Sequence, residues 1–189
     1  MRNLDVGALP VGENDRLAAM VANLTVGKAG YESAWASSSA LAERAQGIKA
    51  ALLAAVDADT RAFDDVLAAM RLPKATDEEK RVRADAIAAA YEKATAVPLA
   101  TARLCLSAIE LAEEAARTGN RNSASDAGVG ALVAKAGLES AILNVRINLP
   151  SVREGAFKTA TLAEIADLQA KSAAPLAKTL ASVESSLKG

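Results

Sequence analysis

Residues 40–67 read ALAERAQGIKAALLAAVDADTRAFDDVL. Apolar side chains recur in this stretch mostly at spacings of three, four and seven residues, which places them on one face of a helix. They are Leu41, Ala45, Ile48, Leu52, Val56, Phe63, Val66 and Leu67. The pattern predicts one long helix from about Glu32 to Met70. Asp57, Asp59 and Asp64 interrupt the stripe, so we expect a bend near them.

The flanking sequence predicts further helices. Gly27 ends the first of them, and Thr76 with Glu79 forms a capping box at the start of another. Pro98 suits the first turn of a separate helix, because a proline there loses no hydrogen bond. Pro175 predicts a kink or break in the last helix. The expected helices span residues 15–26, 76–95, 98–117, 127–145 and 162–187.

Composition favours helices over sheets. The chain of 189 residues is 51% hydrophobic but only 3% aromatic, and alanine fills long stretches. Such a core must form by close packing of small residues on helices. We therefore predict a single all-α domain over residues 1–189, built as an antiparallel helical bundle, with Cys105 as a buried apolar residue.

Charge and hydropathy limit the partners. The net charge is −1 and the charges alternate in sign, which leaves no basic surface for nucleic acid. We found no apolar run long enough for a membrane span, and Asp5, Glu13 and Asp15 interrupt any signal-peptide pattern. The sequence thus predicts a cytoplasmic protein without a membrane or nucleic-acid partner.

The chain contains no histidine and one cysteine. This excludes Ser-His and Cys-His catalytic pairs and predicts no metal site. Asp57, Asp59 and Asp64 could bind a divalent cation, but a solvated helix face explains them more simply. Any proton transfer must use Lys, Asp, Glu, Tyr or water.

The polar loop Gly119–Asp126 is the first candidate site. It carries Asn120, Asn122, Ser125 and Asp126 just before a helix, where free backbone amides attract acceptor groups. A heterocyclic ligand would suit these side chains. The alternative is that they only form a turn and an N-cap, with Ser125 or Asp126 as the cap.

Two more groups of residues have both a binding and a structural interpretation. Asn144 and Asn148 are four residues apart, on one face of a helix, and bind either a ligand or neighbouring protein groups. Lys28 and Lys74 each follow a helix end, where a cation interacts favourably with the helix dipole.

Several short motifs occur in order from about Leu17 to Phe157. They are MVANLTVGK at 20–28 with Tyr31, DAD at 57–59 with AF at 62–63, LPK at 72–74 with EEK at 78–80, VPL at 97–99, GN at 119–120 with SDAGVG at 125–130, and NV at 144–145 with INL at 147–149. In this order and spacing, the chain resembles the formiminotetrahydrofolate cyclodeaminase family, which also contains stand-alone methenyltetrahydrofolate cyclohydrolases.

The resemblance implies an all-helical homodimer that binds a tetrahydrofolate substrate, without metal, in a cleft near the subunit interface. In a cyclodeaminase, the folate N10 attacks the formimino carbon on N5 and expels ammonia, giving 5,10-methenyltetrahydrofolate. In a cyclohydrolase, water attacks the methenyl carbon. The family similarity favours the cyclodeaminase reaction over the cyclohydrolase reaction.

The resemblance also implies roles for individual residues. The catalytic candidates are Asp126, as a carboxylate that orients the pterin or moves a proton, and Lys28, as a cation or proton donor. The pterin-binding candidates are Asn120, Asn122, Ser125, Asn144 and Asn148. Lys74 would contact the glutamate carboxylates of the folate. The small residues Ala127, Gly128 and Gly130 would allow close approach of the ligand or of a second helix.

The N-terminus departs from the family pattern. Members open with a Pro-Gly-Gly-Gly-Ser-like loop and an alanine-rich helix, whereas residues 10–16 here read PVGENDR, with Asn14 or Asp15 expected as the N-cap of the first helix. Three explanations remain: a shortened start, a divergent folate site, or a non-catalytic helical homologue. The last of these is the alternative to an enzyme.

Overall fold

The computed structural model describes the backbone of residues 11–188 and the side chains of residues 17–188. Within that range all regular structure is helical, as predicted. Short 3-10 turns lie at Glu32–Ala34, Arg121–Ser123 and Leu149–Ser151. The five long helices are α1 Val11–Asn23, α2 Trp35–Met70, α3 Asp77–Thr118, α4 Ala124–Asn148 and α5 Ala156–Leu187.

Helix α3 is the centre of the bundle and contacts each of the other four long helices. Short connections join α2 to α3, α3 to α4 and α4 to α5, so consecutive helices run antiparallel. The largest apolar cluster joins α2, α3, α4 and α5, and includes the fully buried Leu52, Ile109, Leu138 and Ile142. A second cluster packs α1 against α2, α3 and α4.

Small residues allow the helices to approach closely. Gly128 on α4 has no room for a side chain, because an added Cβ would lie 2.8 Å from Val183 Cγ2 on α5. Ala127 and Ala131 beside it are completely buried. The expectation that this run admits a second helix is therefore confirmed for α5.

The predicted start of the first helix is wrong. Asn14 and Asp15 lie inside α1, which begins at Val11 and ends at Asn23. N-cap preference is a local effect of about 1 kcal/mol, and it does not prevent a helix from starting earlier. Gly27 does follow the helix in the left-handed conformation, with φ +79°. Residues 1–10, including Pro10, lie outside the described range.

The predicted break at Pro98 is also wrong, because α3 continues through this residue. Proline lacks the N–H that would bind the carbonyl four residues earlier, which is that of Ala94. In the structure, Nδ2 of Asn148 donates to this carbonyl oxygen at 2.8 Å. A side chain from α4 thus replaces the missing backbone donor. The capping box of Thr76 and Glu79 is present as predicted.

Two other predictions concerned helix continuity. Helix α2 is a single helix through Asp57, Asp59 and Asp64, and α5 is a single helix through Pro175. Of the kink or break expected at Pro175, the break is therefore absent and the kink stays a prediction. Cys105 is buried, as expected.

Two segments are long and apolar enough to cross a membrane by length and composition alone: α3 and residues 121–151. The prediction that the chain contains no apolar run long enough to cross a membrane is therefore wrong. About half of each apolar window is buried against other helices, at 56% and 50%. Core helices of a bundle pass the same test, so this is weak support for a membrane span.

Candidate functional site

Two connections meet at one end of the bundle. Residues 24–34 join α1 to α2, and residues 119–123 join α3 to α4. Thr25, which is fully buried, links them: its hydroxyl donates to the Val21 carbonyl at 2.7 Å and accepts from the backbone N–H of Asn120 at 2.9 Å. The geometry of one connection is therefore fixed by the other.

Gly119 makes this close approach possible. A Cβ at this position would lie 2.5 Å from the Ala115 carbonyl oxygen and 2.7 Å from Val21 Cγ1. Its φ of −82° is open to any residue, so glycine is needed here for space rather than for conformation. The end of α1 and the end of α3 can touch only because this side chain is absent.

Asn120 is the best-defined polar group of the site. Its side-chain oxygen accepts from Lys28 Nζ at 3.1 Å and from the backbone N–H of Asn122 at 3.1 Å. The residue is only 8% exposed. With both acceptor positions of Oδ1 in use, the Nδ2 group is directed away from Lys28, where it can donate to an acceptor on a ligand.

Tyr31 holds the next residue of the loop. Its hydroxyl accepts from the backbone N–H of Arg121 at 3.1 Å, and Trp35 Nε1 donates to the Lys28 carbonyl at 3.4 Å. Together with Thr25, these groups fix the backbone on both sides of the Lys28–Asn120 contact. The contact is thus held by its surroundings rather than by two flexible side chains alone.

Ser125 and Asp126 lie in the first turn of α4, which begins at Ala124. The N-cap is Ser123, so the prediction that Ser125 or Asp126 caps the helix is wrong. The 3-10 turn Arg121–Ser123 moves the helix start earlier than the polar sequence indicated. Asp126 is half-buried, and its carboxylate is favoured at this position by the helix dipole.

The structure separates the remaining predicted residues from this end of the bundle. Asn144 lies 18 residues after Asp126 on α4, about 27 Å along the helix at 1.5 Å per residue. Asn148 is further still and binds the Ala94 carbonyl. Lys74 lies in the α2–α3 connection, and the 36 residues of α2 span about 54 Å from the site end.

The predicted residues therefore form three groups in one chain. Lys28, Asn120 and Asn122 are in contact, and Ser125 and Asp126 follow in the next turn. Asn144, which is exposed, and Asn148 lie near the far end of α4. Lys74 is exposed at the α2–α3 corner. One chain alone does not bring these groups together.

Sequence reasoning did not assign roles to Thr25 and Tyr31. The sequence did contain a signal for Thr25, because it is a polar residue in an apolar stretch, four positions after Val21. At this spacing on a helix, a threonine hydroxyl can donate to the backbone carbonyl of the residue four positions earlier. No comparable local signal existed for Tyr31, because its partner is 90 residues away. Two surface grooves lie between α2 and α3. Residues such as Ile48 and Leu104 line the first, and residues such as Ala68 and Lys93 line the second. Neither groove contains any of the predicted site residues.

Comparison with known proteins identifies the family. The family model described as formiminotransferase-cyclodeaminase matches residues 11–167. The chain belongs to this family. Among its relatives, the methenyltetrahydrofolate cyclohydrolase of Methylorubrum extorquens is 44% identical over 158 residues, which cover 84% of this chain and 76% of that protein.

Longer relatives in the family match over part of their length. The formimidoyltransferase-cyclodeaminase of Sus scrofa is 38% identical over 90% of this chain, which covers only 32% of that protein. The crystal structure of formiminotetrahydrofolate cyclodeaminase from Thermotoga maritima superimposes with a TM-score of 0.85 at 25% identity, covering 96% of this chain and 87% of that one. The fold described above is therefore the fold of this family.

Proposed function

We propose that this member of the family is an enzyme that acts on the one-carbon group bound between N5 and N10 of tetrahydrofolate. The observation that carries the proposal is the Lys28–Asn120 contact, held by Thr25 and Tyr31 beside the first turn of α4. It joins a cation to a buried amide at the start of the 3-10 turn that leads into α4, whose first turn carries Ser125 and Asp126, in a chain with no histidine.

The proposed chemistry follows from these groups. The Asn120 Nδ2 group and the first amides of α4 would donate to acceptor atoms of the pterin. The Lys28 ammonium, adjacent to this amide, would supply a positive charge or a proton near the reacting carbon. Asp126 would orient a pterin N–H group or accept a proton. These are groups on a folded framework, so little reorganisation is needed during the reaction.

Hydrolysis of 5,10-methenyltetrahydrofolate is the first form of this proposal. Water adds to the methenyl carbon, one carbon–nitrogen bond breaks, and a proton is released, so that the carbon remains as a formyl group on the other nitrogen. The relative that favours this reaction is the Methylorubrum cyclohydrolase, because its 44% identity extends over 76% of its own length. This reverses the preference drawn from sequence.

Ring closure of 5-formiminotetrahydrofolate is the second form. N10 attacks the formimino carbon and loses its own proton, and the bond from that carbon to the departing nitrogen breaks. The departing nitrogen carries one hydrogen in the neutral formimino group and gains two protons to leave as ammonia, one balanced by the proton that N10 loses and one taken from a donor. The similarity to the Thermotoga cyclodeaminase structure favours this reaction. Lys28 is the proposed proton donor to the departing nitrogen.

We further propose that the protein acts as a cytoplasmic homodimer. The separation of Lys28 and Asn120 from Asn144, Asn148 and Lys74 within one chain supports a second subunit, since a second copy is the simplest source of the distant group. The folate is the substrate and no metal is required by this chemistry. In the part of the chain that the structure describes, no three His, Cys, Asp or Glu residues come together.

The absorbance of the methenyl group separates the two reactions. Purified protein is mixed with 5-formiminotetrahydrofolate in one sample and with 5,10-methenyltetrahydrofolate in another. Appearance of the chromophore in the first indicates ring closure, and accelerated loss in the second indicates hydrolysis. If neither changes and neither folate raises the melting temperature, the protein is a non-catalytic homologue.

Two variants test the residue roles. Lys28→Met and Asp126→Asn are expected to lower kcat at least 100-fold, a typical loss for a proton-transfer or charge-stabilising group. Lys171→Met and Asp64→Asn, at exposed positions on α5 and α2, are the matched controls. Loss of folding in Asp126→Asn, measured by circular dichroism, would instead support a purely structural role at the start of α4.

A further inference from the structure

The two ends of the Asn120 side-chain amide have different surroundings. Its oxygen, Oδ1, accepts from Lys28 Nζ and from the backbone N–H of Asn122, both at 3.1 Å. In the described part of the chain, its nitrogen, Nδ2, has no acceptor, although the residue is only 8% exposed. Buried amide groups in folded proteins nearly always pair with a protein group, a water molecule or a ligand. An acceptor that the described residues do not supply therefore belongs beside Nδ2.

The amide cannot turn over to change this requirement. Rotation of the side chain by about 180° would exchange the positions of Oδ1 and Nδ2. Nδ2 would then face the Lys28 ammonium and the Asn122 N–H, so that three donors would meet without an acceptor. Neither an ammonium nor a backbone N–H has a lone pair to offer. The two contacts at 3.1 Å thus hold the amide in one orientation, in which Nδ2 is a donor to a ligand.

The backbone of Asn120 is held as firmly as its side chain. Its N–H donates to Thr25 Oγ1 at 2.9 Å, and its carbonyl oxygen accepts from the Ser123 N–H at 2.9 Å. Asn120 is also the N-cap of the 3-10 turn Arg121–Ser123. Because both backbone groups and the side-chain oxygen have partners, no small adjustment of the loop redirects the Nδ2 group.

The neighbouring polar groups impose no comparable requirement. Ser125 is exposed, and its hydroxyl can rotate to donate or to accept. Asn122 is exposed, so water can satisfy whichever end of its amide a ligand leaves unpaired. A buried group of fixed orientation makes binding depend on what the ligand presents to it, because water cannot replace a missing partner there. Asn120 is therefore the group that distinguishes between ligands of the same shape.

The proposed function supplies the ligand, which contains a tetrahydropterin ring. One edge of this ring carries a carbonyl oxygen on C4 beside an N–H at N3. The carbonyl oxygen is an acceptor for Asn120 Nδ2, and the N–H is a donor for a carboxylate, the role proposed for Asp126. In the 4-amino analogue of the same ring, C4 carries an amino group and N3 is an acceptor. The polarity of both positions is thus reversed while the shape of the ring is kept.

We propose that Asn120 is a specificity-determining residue, whose fixed N–H group selects the C4 carbonyl of the folate and rejects a C4 amino group. The identity of the ring rests on the proposed function, whereas the orientation of the amide rests only on contacts within the chain. An amino group facing Nδ2 would leave two donors unpaired in a buried position. We expect the 4-amino analogue to bind about 10- to 100-fold more weakly.

A rotated ring is the way in which the analogue could avoid this contact. Rotation would bring a ring nitrogen with a lone pair to Asn120 and so provide an acceptor. It would also move N5 and N10, which carry the one-carbon group, away from Lys28. Turnover is therefore measured beside affinity, because a rotated analogue that binds is still a poor substrate.

Thermal melts without any ligand test the orientation of the amide. Asn120→Asp keeps an oxygen toward both Lys28 and Asn122, whereas Asn120→Ala removes both contacts. We expect the melting temperature of Asn120→Asp to be higher than that of Asn120→Ala. If Asn120→Asp melts at or below the temperature of Asn120→Ala, the oxygen is not the end of the amide that Lys28 and Asn122 contact, and the proposal is overturned.

Calorimetric titration tests the specificity. The probes are tetrahydrofolate and its 4-amino analogue, prepared by reduction of folic acid and of 4-aminofolic acid. Wild type should bind tetrahydrofolate about 10- to 100-fold more tightly than the analogue. Asn120→Asp should shift this ratio toward the analogue by about tenfold or more, because its second carboxylate oxygen accepts from an amino group. Asn23→Asp, the same substitution at the exposed end of α1, is the matched control and should keep the wild-type ratio.

Two results of the titration would overturn the specificity: equal affinity of wild type for the two compounds, and an unchanged ratio in Asn120→Asp. Turnover distinguishes this failure from that of the proposed function. A wild type that acts on 5-formimino- or 5,10-methenyltetrahydrofolate, and on its 4-amino counterpart with equal kcat/KM, would refute the role of Asn120 and leave the proposed function standing. A wild type that binds neither probe and acts on neither folate would refute the proposed function and the specificity together.

Discussion

Replacing Asn148 by leucine is expected to destabilise the protein through Pro98, on a different helix. Asn148 Nδ2 is the donor to the Ala94 carbonyl, which Pro98 cannot bind. Ala94 is only 8% exposed, so leucine, of similar size but without a donor, leaves a buried acceptor unpaired. Such a loss costs about 1–3 kcal/mol. For a chain of this length, each kcal/mol lowers the melting temperature by about 2–4 °C.

A double-mutant cycle isolates this effect. Asn148→Leu is measured by urea unfolding in the wild-type background and in a Pro98→Ala background, where alanine restores the backbone N–H to the Ala94 carbonyl. The expected loss falls to less than half in the second background, because the carbonyl keeps a partner. An equal loss in both backgrounds would show that the Asn148 side chain stabilises the fold in another way, and would refute the reasoning.

Three further changes have expected outcomes. Gly119→Ala should destabilise by about 1–3 kcal/mol, because its Cβ would lie 2.7 Å from a valine methyl, while Gly47→Ala, in open space on a helix, should stabilise by about 0.5–1 kcal/mol in the same thermal melts. Thr76→Ala should lose about 1 kcal/mol by removing the capping box, measured by urea unfolding. The hydrogen bond from Arg103 lowers the pKa of Glu164, so the pair stabilises above the unfolded-state pKa and this contribution disappears as the pH falls through the lowered value. At pH 7, Glu164→Gln should therefore have a lower free energy of unfolding than wild type, and this free energy should fall less than that of wild type as the pH is lowered. Free energies of unfolding that fall in parallel for the two proteins would contradict this.

Most of the fold could be predicted from the sequence, because helical periodicity and the capping box are local signals. The boundary at Met70 and the cap at Thr76 are examples. Pro98 was interpreted wrongly because local rules describe a proline without its tertiary partner. The donor that replaces its missing N–H comes from Asn148, and a link between residues so far apart leaves no trace in a local pattern.

The site was predicted in part, for a related reason. Lys28 and Asn120 were selected separately, and the structure brings them into contact. Asn144, Asn148 and Lys74 were selected by the same family resemblance, but they lie in other parts of the bundle. Position along a chain gives no direct measure of the distance between two residues in the fold, so the sequence could not show that these residues lie far from Lys28 and Asn120.

The contacts between the two loops of the site also bear on the order of folding. The hydrogen bond from Lys28 to the Asn120 side chain and the one from the Asn120 backbone N–H to Thr25 join residues 92 and 95 positions apart, whereas a short corner joins α2 and α3. Closing a long loop costs more chain entropy than closing a short one. We therefore expect the α2–α3 hairpin to form early and the site to form last, when α1 docks. In hydrogen exchange, the amides of Asn120 and Arg121 should then open at lower free energy than those at the centre of α3. Substrate binding would slow their exchange most of all.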